Sequence, residues 1–327
     1  MRGAIDSFEK VFGRGSGVVM SKEVSDHFSS RRFLILAALI AVTGIASIYV
    51  AAVTIGNAVA MSDEGFDFVF LRMFLTSSSS LPPFTAFVGF LGPLVGLAMG
   101  FDAINGERMR GTLSRVLAQP IHRDAVINGK FVAGAFVIGV MVVSLVAGVS
   151  GMGALLLGVG PTSEELARLL VYTAITIAYV SLWLAVSILF SVIFRQASTS
   201  ALAGMALWLF ASVFLGLLAG LAADSLAPLG ENPSAIEILR YERIRQGISR
   251  VSPATLYSEA VASILSPNVR AIGPILAEQL EGAIPGPLPL RESVLNVWPH
   301  VTGLVAGMLL CFAAAYLTFM RQEIRAG

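Results

Sequence analysis

Six windows of the chain run without Asp, Glu, Lys or Arg for at least about 20 residues, the length of apolar helix that crosses a bilayer. They cover residues 33–62, 73–101, 131–158, 169–194, 196–223 and 293–320, and each predicts one transmembrane helix with some overhang. Between the second and third windows the pattern inverts: residues 101–130 carry eight formal charges. Within that stretch Met109, Leu113, Val116 and Leu117 recur at helical spacing, while Arg108, Arg110 and Arg115 lie off the stripe. The spacing predicts an amphipathic helix stopped by Gln119-Pro120, with Asp124 capping a following helix that runs through Lys130 into the third span.

A second break lies between the fifth and sixth windows, where residues 224–292 hold eight of the chain's fourteen prolines. Ser252-Pro253 reads as an N-cap with proline at the first helical position, followed by apolar pairs Leu256/Tyr257, Ala260/Val261 and Ile264/Leu265 until Pro267. This predicts a short amphipathic helix lying on or dipping into the outer leaflet. A further helix is expected over Ser234 to Arg250, where Ile236, Leu239, Ile244 and Ile248 form an imperfect stripe among charges.

Composition agrees with a membrane protein: of 327 residues, 56% are hydrophobic and 13% charged, with mean hydropathy +0.80. The expected fold is an all-α, polytopic protein of six transmembrane helices with a helical cap between helices five and six. Its organisation is a charged head (1–32), spans one to five (33–223) with the polar loop 102–130, an extracytoplasmic loop (224–292), and span six with a tail (293–327). No small-residue cleavage site follows the first window, so that span is expected to be retained and the mature chain to begin near Met1. Cys311, the single cysteine, lies in the last window and reads as a small apolar side chain.

Charge bias orients the chain. Head, polar loop, fourth-to-fifth turn and tail together hold fourteen Lys/Arg against eight Asp/Glu, whereas the opposite loops hold eight against thirteen. The first set is expected on the cytoplasmic side of a multi-pass cell membrane, with both termini cytoplasmic. Burying eight charges at mid-membrane would cost on the order of 20 kcal/mol, so the polar loop must face water. Two roles fit a basic amphipathic helix held between spans: docking in a groove of a cytoplasmic partner, or anchoring on anionic membrane lipid.

Within the spans, Tyr172, Thr176, Tyr179, Trp183 and Ser187 place polar tips along one face of span four. This face either lines a cavity between two subunits, in contact with an amphipathic substrate, or hydrogen-bonds a neighbouring helix. Span two carries Gly89, Gly92, Gly96 and Gly100 with Pro93 between, a face suited to close helix approach. No charged residue lies deep in a predicted span, which disfavours a proton- or ion-coupled carrier. Gly148-Val149-Ser150-Gly151 matches the Gly-x-Ser-Gly of rhomboid-like intramembrane serine proteases, with His300 in another span as the available base. In a chain with 32 glycines such a match arises easily, and helix packing is the plainer account. His27, His122 and His300 are too scattered to suggest a metal site. No phosphate loop is present, so ATP and Mg would have to bind a separate polypeptide and this chain is expected to bind no cofactor. Nothing in the pattern points to nucleic acid.

The string Phe101-Asp102-Ala103-Ile104-x-Gly106-Glu107-Arg108-x-Arg110-Gly111-Thr112-Leu113, followed by Gln119-Pro120, Arg123 and Gly129-Lys130, resembles the cytoplasmic loop of type-2 ABC exporter permeases. It is most similar to the branch containing the permease for copper-site maturation of nitrous oxide reductase. Lys22-Glu23 through Phe33 resembles that family's amphipathic elbow helix, Phe194 to Ser198 its fourth-to-fifth turn, and Phe319 to Arg325 its tail. The resemblance implies a six-helix permease subunit that works as a homodimer, or with a closely related second permease, on two ABC ATPase subunits. Glu107, Arg108, Arg110, Gly111 and Thr112 would then make the coupling contact, the charged residues pairing with the ATPase and Gly111 permitting close approach. An extracytoplasmic partner of the outer loop is a further expectation.

Overall fold

The computed structural model describes residues 16–60, 68–77, 81–112, 122–158, 160–230, 232–268 and 287–322. Among these residues six helical stretches are long and apolar enough to cross a membrane. Span one is α2 (Arg31–Ala60), span two α4 (Phe84–Gly100), span three α6 (Arg123–Leu157) and span four α7 (Ser163–Ile193). Span five is α8 (Ala197–Leu209), a π-helical segment (Phe210–Phe214) and α9 (Leu215–Leu226); span six is α12 (Leu290–Arg321). Shorter helices complete the set: α1 (Ser16–Phe28) before span one, α3 (Val69–Leu75) before span two, α5 (Asn105–Met109) after it, and α10 (Ala235–Ser249) and α11 (Pro253–Leu265) between spans five and six. We call the end of the bundle bearing α1 and α5 the basic side and the end bearing α10 and α11 the cap side.

Span four is the hub. In its apolar window 78% of residues are buried, against 17% in spans five and six, and it touches spans two, three, five and six as well as α11. A capping box starts it: Thr162 Oγ1 accepts from Glu165 N (3.3 Å) and Glu165 Oε2 accepts from Thr162 N (2.8 Å). Glu164 and Glu165 in the first turn also complement the helix dipole. The other oxygen of Glu165 accepts from Phe70 N (3.1 Å), which ties α3 to span four.

Several expectations need correction. The window 73–101 is not one helix, because Pro82 and Pro83 separate α3 from α4, and Pro83 sits at the N-cap of α4 where its missing N–H costs no helical bond. Asp124 is not the N-cap of span three; that place is taken by His122, while Asp124 Oδ1 accepts from Ala125 N at 2.9 Å one turn-position later. Span four begins six residues before its charge-free window, and this brings Arg168 into the helix, fully buried. Its guanidinium donates to Ile264 O (2.9 Å), Ser293 Oγ (3.1 Å), Leu288 O and Glu164 Oε1 (2.9 Å). One arginine thereby fastens the cap side of span four to α11 and to the start of span six.

Both cap helices form where the residues predict them. Ser234 caps α10 in a capping box with Glu237, and Ser252 accepts from Ala254 N (3.2 Å) with Pro253 at the first position of α11. The face of α11 is turned inward, however, rather than into lipid. Tyr257, Ala260, Val261, Ile264 and Leu265 are buried against spans two, four and six. Ser252 Oγ donates to Ala211 O (2.6 Å), a carbonyl inside the π-helical segment of span five, where the wider turn leaves that group available.

Candidate functional site

The described part of the polar loop is tethered to the bundle at several points. After span two the chain turns and enters α5, and the first two amides there, Ile104 N and Asn105 N, donate to Ser191 Oγ of span four at 2.9 and 3.2 Å. Just before, Asp102 Oδ2 accepts from Arg32 of span one (2.9 Å), and the same guanidinium lies 4.9 Å from the centre of the Phe101 ring. The loop is therefore attached to spans one and four before α5 begins.

Inside α5, Glu107 turns inward. Its Oε1 takes Lys130 Nζ of span three at 2.8 Å, and the same ammonium reaches Glu23 Oε1 of α1 at 2.8 Å. All three side chains are nearly enclosed, at 9%, 5% and 11% exposure, so each charge depends on its partners. Burial pushes the Glu23 carboxyl up, but the Lys130 and Lys22 ammonium groups outweigh it and hold it below the ordinary carboxylate range. Burial also holds the nearby His27 imidazole below its usual value.

Arg108 points the other way. Its Nη2 donates to Gln322 Oε1, just past the end of span six, while Arg123 Nη2 donates to Gln322 O (3.0 Å) and Gln322 Nε2 to Val192 O of span four (2.9 Å). Gln322 is thus a junction between the polar loop, span three, span four and span six. Neither Gln322 nor Lys130 stands out in the sequence as a site residue; both were visible only as parts of a longer family-like string.

The sequence-predicted coupling residues therefore divide. Glu107 and Arg108 face the protein, Thr112 Oγ1 donates to Glu107 O (3.2 Å), and Arg110 and Met109 are exposed. Gly111 has φ +66° with open space where a Cβ would lie. Its positive φ gives glycine a conformational reason at this position. The same residue ends α5, so the helix expected to run unbroken from Arg108 past Leu113 is interrupted at Arg110-Gly111. Leu113, Arg115, Val116, Leu117, Gln119 and Pro120 lie outside the described residues, as do Glu323 to Arg325.

Four residues of the polar stripe of span four line no cavity found in this structure, and the fifth, Ser187, borders a small groove between spans one, two and five. Tyr172, Thr176, Tyr179, Trp183 and Ser187 are at most 1% exposed in the single chain, whereas a wall between two subunits would be open here. They bond inward instead: Tyr179 hydroxyl donates to Gly89 O (2.9 Å), Ser187 to Leu97 O (2.7 Å), and Thr176 and Tyr257 hydroxyls pair at 3.1 Å. Tyr179 and Tyr257 rings stack at 4.3 Å. The glycine face of span two meets this same helix, with a Cβ on Gly96 falling 2.5 Å from Val180 O.

Ser150 and His300 make no hydrogen bond to one another. His300 Nε2 is engaged by Glu259 Oε2 at 2.7 Å, which also takes Arg250 Nε at 2.8 Å, and Ser150 Oγ is buried among its own surroundings. Among the described residues no group of three His, Cys, Asp or Glu could hold a metal ion.

Comparison with known proteins agrees with this architecture. The profile of the family described as ABC-2 family transporter protein matches residues 18–324. A curated relative, the probable ABC transporter permease protein NosY of Stutzerimonas stutzeri, is 29% identical over 124 residues. That alignment covers 38% of this chain and 40% of the relative, so the match spans about two fifths of either protein.

Proposed function

The chain belongs to the ABC-2 family of transporter proteins, and from that membership we propose that it exports a substrate or transmits force across the membrane, driven by ATP that separate ABC ATPase subunits hydrolyse with Mg. It is the membrane subunit of such a transporter. The observation that carries the mechanism is the tethering of one short loop to four spans and to α1, through Asp102, Glu107, Arg108 and the amides of Ile104 and Asn105. A push on that loop has short, stiff routes into the bundle.

In this reading the basic side is cytoplasmic, as the Lys/Arg bias of its loops favours. The ATPase docks on the exposed tip at Met109, Arg110 and Gly111, while Glu107, Arg108 and Thr112 hold that tip in place from within. Two copies pair, a related second permease being the variant form. Spans five and six offer the least buried apolar surfaces for this, including Leu202, Phe210, Phe214 and Leu221. On the other side α10, which buries none of its residues in the chain, is the surface an extracytoplasmic partner would meet.

Reversing the charge at the tip tests the assignment. Arg110→Glu, an exposed change, is expected to leave the melting temperature of the permease intact while lowering recovery of the ATPase subunit and uncoupling ATP hydrolysis from the permease by about tenfold. Normal co-purification and coupling in this variant would remove Arg110 from the contact.

A further inference from the structure

Beside the tethered loop the basic side contains a cavity of about 370 Å³ between α1, the start of span one, the end of span two and α5. Nine charged residues line it. Lys130 is consumed by Glu23 and Glu107, Lys22 lies 3.3 Å from both Glu23 and Asp26, and Arg32 is paired with Asp102. Two guanidinium groups in the lining, Arg31 and Arg110, form no ion pair with a carboxylate among the described residues. The four carboxylates are spoken for and the surplus is cationic, so the chamber suits an anion with several acceptor oxygens.

Next to it runs a second cavity of about 260 Å³ lined by Leu36, Leu94, Leu97, Ala201, Gly204 and Met205 of spans one, two and five, with Ser187 of span four at its wall. Ala98 lines both chambers, and Phe101 of the apolar one lies beneath the Arg32 guanidinium of the polar one. A charged chamber at the end of the spans thus opens beside an apolar groove within them. A ligand that fills both has a phosphate-bearing head and a hydrocarbon tail, with the tail running toward the membrane interior.

We propose that these adjacent chambers bind one anionic phospholipid of the leaflet on the basic side, its phosphate held by Arg31 and Arg110 and one acyl chain laid along Leu94, Leu97 and Gly204. The bilayer itself is the source, because Arg31 and Arg32 open span one and Asp102 lies just past the end of span two, where headgroups meet the ends of the spans. Since Glu107 and Arg110 belong to both the chamber and the loop, lipid occupancy bears directly on the loop's posture. The binding site stands on the permease alone, whether or not an ATPase docks on Arg110.

The test is native mass spectrometry of the full-length permease released from mild detergent, titrated separately with dioleoyl-phosphatidylglycerol, dioleoyl-phosphatidylcholine and glycerol 3-phosphate. One phosphatidylglycerol per chain should bind at least about tenfold more tightly than phosphatidylcholine, and glycerol 3-phosphate should not displace it. Arg31→Gln with Arg110→Gln, and separately Ala201→Phe in the groove, should each lower that affinity at least about tenfold with an unchanged melting temperature. Should the double variant melt early, the two single exposed substitutions carry the same comparison. Equal binding of the two phospholipids, or full affinity in the arginine variants, overturns the proposal. Displacement by glycerol 3-phosphate with no effect of Ala201→Phe would identify a soluble phosphate site and overturn the lipid assignment.

Discussion

At the scale of single residues the decisive group is Lys130. It lies 23 residues from Glu107 and 107 from Glu23, yet one ammonium bonds both carboxylates in a nearly closed space, with Lys22 beside Glu23 as the second cation. Removing it strands two buried charges, a loss of about 3–5 kcal/mol where the surroundings cannot rehydrate them. Lys130→Met should therefore lower the melting temperature in detergent far more than Lys22→Met, whose side chain is 60% exposed. The same network sets an acid limit. Glu23 has a folded pKa below its ordinary 4.5, so its stabilisation is complete above 4.5 and is lost as pH falls through the lower folded value. A melting series from about pH 6 to about pH 3 should show that loss in the native chain and a flatter acid limb in Glu23→Gln. The sequence showed Glu107 as a charge in a loop and Lys130 as the threshold of a span. It did not show their union, because both the distance along the chain and the inward turn of α5 are tertiary facts.

Among the helices, spacing was legible and direction was not. The stripe from Tyr172 to Ser187 is one helical face either way, and periodicity treats a cavity wall and a packing face alike. What decides is the neighbour: the glycines of span two let its backbone come so near that the polar tips of span four find carbonyls at Gly89 and Leu97. Gly96 is the tightest point, since a Cβ there would lie 2.5 Å from Val180 O and 2.8 Å from Leu184 N, both backbone atoms that cannot swing aside. Gly96→Ala is expected to cost about 1–3 kcal/mol. Gly148→Ala, in a helix where a Cβ meets nothing within 4 Å, should be neutral or slightly stabilising. Thermal unfolding of the two variants side by side checks the contrast; equal effects would mean that spans two and four are not closely apposed. Arg168 was hidden for a related reason. Treating it as the edge of a charge-free window placed it in a loop, whereas the capping box at Thr162 starts the helix earlier and carries the arginine into the interior, where four oxygens receive it.

For the molecule as a whole, the six spans and the two cap helices could be read from windows without charge and from capping residues, since both signals are local, whereas the elbow helix was expected only from the family resemblance. The connections that tie these helices to the polar loop could not, and Gln322 shows why. An amide just beyond the last span carries no hydropathy signal, yet it joins Arg108 of the loop to Val192 of span four and receives Arg123 of span three on its carbonyl. If the loop moves span six through this junction, cutting the side chain should loosen that end without unfolding the bundle. Gln322→Ala removes the acceptor for Arg108 and the donor to Val192, together worth about 2–3 kcal/mol of local stability. Hydrogen exchange of the backbone amides around Phe319 to Arg321 should then accelerate by about thirtyfold, while amides in the middle of span four keep their protection. Unchanged exchange at Phe319 would mean that span six is held independently of the loop, whose remaining ties are then Arg32, Ser191 and Lys130.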